Sequence, residues 1–103
     1  MPVFGTPFAG NSLDKKLSEE EMVRAVRFAI AAEMEATQLY MQIAESSTDP
    51  LVQKVMKSVA DEERVHVGEF LQVLFRLDST EINFYERGFE EVKAIVKSSK
   101  EEG

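Results

Sequence analysis

What most limits the fold of this chain is a pair of long stretches free of helix breakers, joined by a short link. From Glu19 to Ala44 no glycine or proline interrupts, and between Pro50 and Leu77 only Gly68 does. Ser18-Glu19-Glu20-Glu21 fits a capping box, with Ser18 as N-cap and Glu21 reaching back to its amide. The three glutamates also face the positive end of the helix dipole. Ser46-Ser47-Thr48-Asp49-Pro50 closes this helix and opens the next, with Asp49 as N-cap and Pro50 at the first helical position. The spacing predicts helices over about 18–46 and 50–77. Two such helices with so short a link lie antiparallel, as a hairpin.

The remainder is less regular. Asp78-Ser79-Thr80 caps a short segment that Gly88 interrupts, and Phe89, Val92, Ile95 and Val96 then recur at helical spacing. A short final helix is expected over about 89–98, with a frayed polar tail at 99–103. Residues 1–16 hold two prolines, two glycines and no helical period, so an irregular arm is expected there, whose Val3, Phe4 and Phe8 suit packing on a partner. The reading is one all-α domain over 17–98: an antiparallel two-helix hairpin plus a short C-terminal helix.

Composition removes several classes of function. There is no cysteine among the 103 residues, which excludes disulfides, thiolate metal sites and thiol nucleophiles. A net charge of −7 argues against nucleic acid, whose binding needs Lys and Arg on phosphates, and suits a surface that gathers cations. No apolar stretch approaches the roughly 20 residues of a membrane span. The N-terminus lacks a basic region followed by an apolar run, so a cytoplasmic origin is expected.

The informative residues are polar ones on apolar faces. At about 100° per residue, Val26, Ile30, Thr37, Tyr40 and Ala44 share one stripe of the first helix, with Glu33 in its middle. Glu35 points the opposite way. The second stripe is Val52, Val55, Val59, Phe70, Val73 and Leu77, and Glu63 and His66 both fall inside it, three residues apart on one face. Glu33 precedes the link by about as many residues as Glu63 follows it, so an antiparallel hairpin brings the two to one level. An unpaired buried charge costs several kcal/mol, and a metal or cationic partner is the usual remedy. A Glu63–His66 hydrogen-bonded core pair is the plainer alternative, and Glu33 at matching height favours a metal site. Glu62 is a rival ligand at four-residue spacing from His66; it and Glu69 sit at the stripe's edge, as solvated flank or as groups where metal comes in. Tyr40 reads equally as a core tyrosine and as a hydrogen-bond donor to a ligating carboxylate. Met22, Met34, Met41 and Met56 read as core and interface filler rather than copper ligands, because no clustered spacing supports the latter.

A ferritin-like di-metal bundle takes one Glu from each of two helices and Glu-x-x-His from each of two others. This chain has half of that complement, so the ligand count predicts a two-fold dimer forming a four-helix bundle. The segment from Glu33-Met34-Glu35-Ala36 through Tyr40, Ser47-Thr48-Asp49-Pro50 and Asp61-Glu62-Glu63-Arg64-Val65-His66 resembles the encapsulated ferritins, the half-ferritins of encapsulin nanocompartments. FEEVKAIV near the end resembles the third helix of archaeal-type members.

The resemblance implies a ferroxidase centre shared by two chains, with Glu33 a terminal ligand, Glu63 the bridging carboxylate and His66 the nitrogen ligand. It also implies a ring of dimers, typically a homodecamer, working with an encapsulin shell for iron storage. Glu35 matches a position on the family's metal uptake path; a second acidic position there is Ala32 in this chain, and a tryptophan of some members is Leu39. KSSKEEG has no apolar cargo-docking motif, which leaves three routes: fusion to a shell protein, another means of reaching one, or no shell. The donor set suits a di-iron centre, with manganese, zinc or calcium as substitute or secondary ions. A rubrerythrin-like peroxidase on the same fold and a non-enzymatic helical assembly module are the alternatives.

Overall fold

A computed structural model describes residues 16–102 of the chain, so the expected N-terminal arm lies outside the described residues apart from Lys16. Three helices follow in order: α1 (Glu19–Ser46), α2 (Pro50–Leu77) and α3 (Glu81–Glu102). The described residues contain no strand, so the fold is all-α.

Each helix start has a local cause. Ser18 and Glu21 form the reciprocal capping box: the Ser18 amide donates to Glu21 Oε1 at 2.9 Å, and the Glu21 amide donates to Ser18 Oγ at 3.2 Å. Asp49 Oδ1 accepts from the amides of Leu51 (2.8 Å) and Val52 (3.3 Å), with Pro50 opening α2. Asp78 closes α2, and its Oδ1 accepts from the amide of Thr80 at 3.0 Å just ahead of α3.

α1 and α2 pack along their length, and the sense of the pairing is antiparallel. Arg27 near the start of α1 meets Asp78 and Glu81 beyond the end of α2, while Glu33, farther along, meets His66. Ile30, Ala60 and Leu74 form the buried centre of the chain. Three members of the predicted α2 stripe, Val55, Val73 and Leu77, remain exposed. The stripe is wider than one neighbour can cover: one flank faces α1 and the other faces outward. Met34, expected as core or interface filler, is 55% exposed in the single chain.

The third helix differs from its expected extent. It begins at Glu81 rather than Phe89, passes through Gly88 and runs on through the expected frayed tail to Glu102. A helix-interior glycine costs only about 1 kcal/mol relative to alanine, too little to break a helix that Asp78 and Thr80 have already started. Lys100 in the last turn favours the continuation, because cations stabilise the negative end of the helix dipole. None of the described helices is long and apolar enough to cross a membrane.

Candidate metal centre

The hairpin turns spacing into proximity. Glu33 sits mid-way along α1, and Glu63 and His66 lie one turn apart on α2. Each offers one ligand atom, and these atoms all lie within 4.8 Å of one another. His66 Nδ1 is 3.6 Å from Glu33 Oε2 and 3.7 Å from Glu63 Oε2. Both separations exceed hydrogen-bonding distance, so the three groups converge without satisfying one another.

Burial makes this geometry costly without a cation. Glu33 Oε2 is buried and has no hydrogen-bond partner. An unsatisfied buried acceptor costs about 1–3 kcal/mol, and more when charged. Two donors on one divalent ion, each about 2.0–2.2 Å away, lie at most about 4.4 Å apart; the two separations from His66 fall inside that bound, and the three ligand atoms together lie within 4.8 Å. Two carboxylates and an imidazole therefore fit an ion of the iron, manganese or zinc type. The His66 side chain is 45% exposed, against 21% for Glu33 and 17% for Glu63, so the cluster opens on the histidine side.

Other groups lie around this trio. The Thr37 hydroxyl donates to the carbonyl oxygen of Glu33 at 2.9 Å, tying the Glu33 main chain to the next turn. Sequence reasoning had placed Thr37 on the stripe without this role; the four-residue Thr-to-carbonyl spacing was the available signal. Tyr40 is half-buried, seven residues beyond Glu33, and its hydroxyl has no partner among the described residues. Among the described residues it makes no hydrogen bond to Glu33, Glu63 or His66. Glu35, Glu62 and Glu69 are exposed and, among the described residues, join neither the cluster nor an ion pair.

A second polar cluster, absent from the sequence reading, marks the root of α3. Arg27 pairs with Glu81 and lies 4.0 Å from Asp78, while the Tyr85 hydroxyl donates to Glu81. The Tyr85 ring stands edge-on to Phe75, with centroids 5.6 Å apart at 72°. The Tyr85 hydrogen bond, helped by Arg27, holds the Glu81 carboxyl below its usual range. The same bond pushes the Tyr85 hydroxyl above its ordinary value. The i, i+4 spacing of Glu81 and Tyr85 was visible in the sequence, but Arg27 lies 54 positions away from Glu81.

Comparison with known proteins bears on the family and the fold. The family model described as rubrerythrin matches residues 25–101. A ferritin-like–encapsulin shell fusion protein of Pyrococcus furiosus is 44% identical over 82 residues, which is 80% of this chain and 24% of that protein. The encapsulin nanocompartment cargo protein EncC of Myxococcus xanthus is 26% identical over 88 residues, 85% of this chain and 68% of that one. This chain thus spans about a quarter of the shell fusion protein and about two-thirds of the cargo protein. Among solved structures, the encapsulated ferritin domain from Pyrococcus furiosus superposes with a TM-score of 0.78 at 43% identity, covering 85% of this chain and 89% of that one.

Proposed function

Since the chain belongs to the rubrerythrin family and has the fold of an encapsulated ferritin domain, we propose that it is a ferroxidase whose centre is completed by a second copy of itself. The observation that carries this reading is the buried Glu33 Oε2, unpartnered beside Glu63 and His66. Three donors are too few for a pair of ions. A two-fold axis beside the exposed edge of His66 doubles the set to four carboxylates and two imidazoles, the complement of a di-iron bundle. Val55, Val73 and Leu77 lie on the same flank of α2 as His66 and give such an axis an apolar surface to bury.

Fe(II) is the substrate, and each ion gives up one electron. With dioxygen as oxidant, two Fe(II) and two protons yield two Fe(III) and hydrogen peroxide. The ions supply the redox chemistry; the chain supplies Glu33 and Glu63 as hard anionic donors, His66 as a neutral nitrogen donor, and the packed hairpin that spaces them. Because these ligands must be deprotonated to bind, affinity falls on acidification. Association with an encapsulin shell, a ring of dimers such as a decamer, and location within a compartment in the cytoplasm belong to the same proposal. The shell association is supported by the two relatives, one a ferritin-like–encapsulin shell fusion and one an encapsulin cargo protein.

Glu63→Ala and His66→Ala should each abolish Fe(II)-dependent oxygen consumption in anaerobically loaded protein while leaving helix content unchanged. Full activity in either variant would sink the assignment. Peroxidase chemistry is the second reading, favoured by the rubrerythrin family model. Repeated turnover with peroxide and a reductant, faster than single-turnover iron oxidation, would support it instead. With no cysteine in the chain, its electrons would have to come from a separate donor.

A further inference from the structure

The sulfur chemistry of this chain rests on methionine alone, since it has no cysteine. Met22, Met41 and Met56 are half-buried, whereas Met34 is 55% exposed. Met34 also follows Glu33 directly, so the most open thioether among the described residues sits one residue from the metal cluster. A thioether is soft and polarizable, and oxidants convert it to the sulfoxide. The proposed metal chemistry releases one such oxidant, hydrogen peroxide, beside it.

The surroundings of Met34 suit a small polar oxidant. It lines a groove of about 210 Å³ together with Thr37, Arg64 and Val67. A water molecule takes roughly 30 Å³ of liquid, so a molecule of peroxide's size enters with room to turn. Thr37 gives its hydrogen to the Glu33 carbonyl, and its oxygen still accepts from a peroxide O–H. Arg64 Nη1 lies 3.8 Å from Asp61 Oδ1, beyond hydrogen-bonding distance, so its N–H groups remain able to donate into the groove. Arg64 lies about 160° around α2 from His66, away from the flank that the proposed two-fold contact buries.

We propose that Met34 is a peroxide-scavenging site, whose sulfur takes one oxygen atom from the hydrogen peroxide that the metal centre releases. The sulfur lone pair attacks one peroxide oxygen and the O–O bond breaks. The departing hydroxide then takes the proton carried by the oxygen that sulfur has bound. Methionine and hydrogen peroxide thus become methionine sulfoxide and water; sulfur gives up two electrons and peroxide gains them. Arg64 donates to the departing oxygen, where negative charge develops. Methionine sulfoxide reductases return the thioether, so the site is renewable. The inference rests on the ferroxidase reading only for the source of the peroxide.

Peptide mapping by mass spectrometry tests this, reading the gain of one oxygen at each methionine of the full chain. With hydrogen peroxide added to metal-free protein, Met34 should oxidise severalfold faster than Met22, Met41 or Met56, and R64Q should slow Met34 alone. With Fe(II) and dioxygen the gain should again concentrate at Met34, and it should fall away in E63A. Free peroxide over the first turnovers should be lower in the wild type than in M34L, with iron oxidised at the same rate in both. Equal oxidation of the four methionines overturns the proposal, as does Met34 oxidation undiminished in E63A or equal free peroxide in wild type and M34L. An unchanged Met34 rate in R64Q overturns the part given to Arg64. If Fe(II) is not oxidised at all, the ferroxidase reading fails, and the metal-free arm still decides whether Met34 is the reactive site.

Discussion

Glu33 Oε2 carries a stability cost that, on the proposed function, a cation held beside it would reverse. The first prediction follows: Glu33→Leu should raise metal-free stability by about 1 kcal/mol, since it removes an unsatisfied acceptor that is part of a side chain still 21% exposed. The same variant should lose the rise in Tm that Mn(II) gives the wild type. Thermal unfolding with and without chelator measures both, and a metal-free Tm that drops in the variant contradicts the account. The trio was legible in the sequence because helical spacing and chain reversal are both arithmetic. The partnerless state of one oxygen was not, because it depends on the rotamers of three side chains.

The helices show what local chemistry specifies and where it stops. Ser18 with Glu21, and Asp49 with Pro50, act within four residues, so the starts of α1 and α2 were legible. The start of α3 was misread because Gly88 was weighed as a break, although an added Cβ there would meet nothing within 4 Å. Gly68 has the same open surroundings inside α2, and its position is exposed. Gly68→Ala should therefore stabilise by about 0.4–1 kcal/mol, chiefly by restricting the unfolded chain, and denaturant midpoints report it. At the root of α3 the pH dependence has two edges. Glu81 is held below its ordinary value of 4.5, so its contribution is present above that value and lost as pH falls through the lowered one. Tyr85 is raised above 10.0, so its contribution is present below 10.0 and lost as pH climbs through the raised value. Glu81→Gln should bring the Tyr85 ionisation back down; difference titration against Tyr85→Phe reads the shift, and an unmoved midpoint refutes the assignment.

In the whole molecule, the flank of α2 that faces away from α1 explains why the core of one chain is so small. Sequence periodicity marks a stripe as apolar but not which half its own hairpin covers, and Val55, Val73 and Leu77 fell on the uncovered half. A ligand that binds only the native dimer should raise its stability by mass action. Tm should thus climb with protein concentration when Mn(II) is present, and less so in chelator. A Tm independent of both would argue that one chain is the complete unit.

The hairpin link has a temporal consequence. With only Ser47 to Asp49 between α1 and α2, the packing of the chain is dominated by neighbours in sequence, and such topologies fold in microseconds to milliseconds. That step is unimolecular and ignores how many chains are present. Completion of the metal centre on the proposed reading is an encounter, and its rate grows with the square of chain concentration. A freshly made chain would be folded long before it is chemically competent, and dilution would silence it without unfolding it.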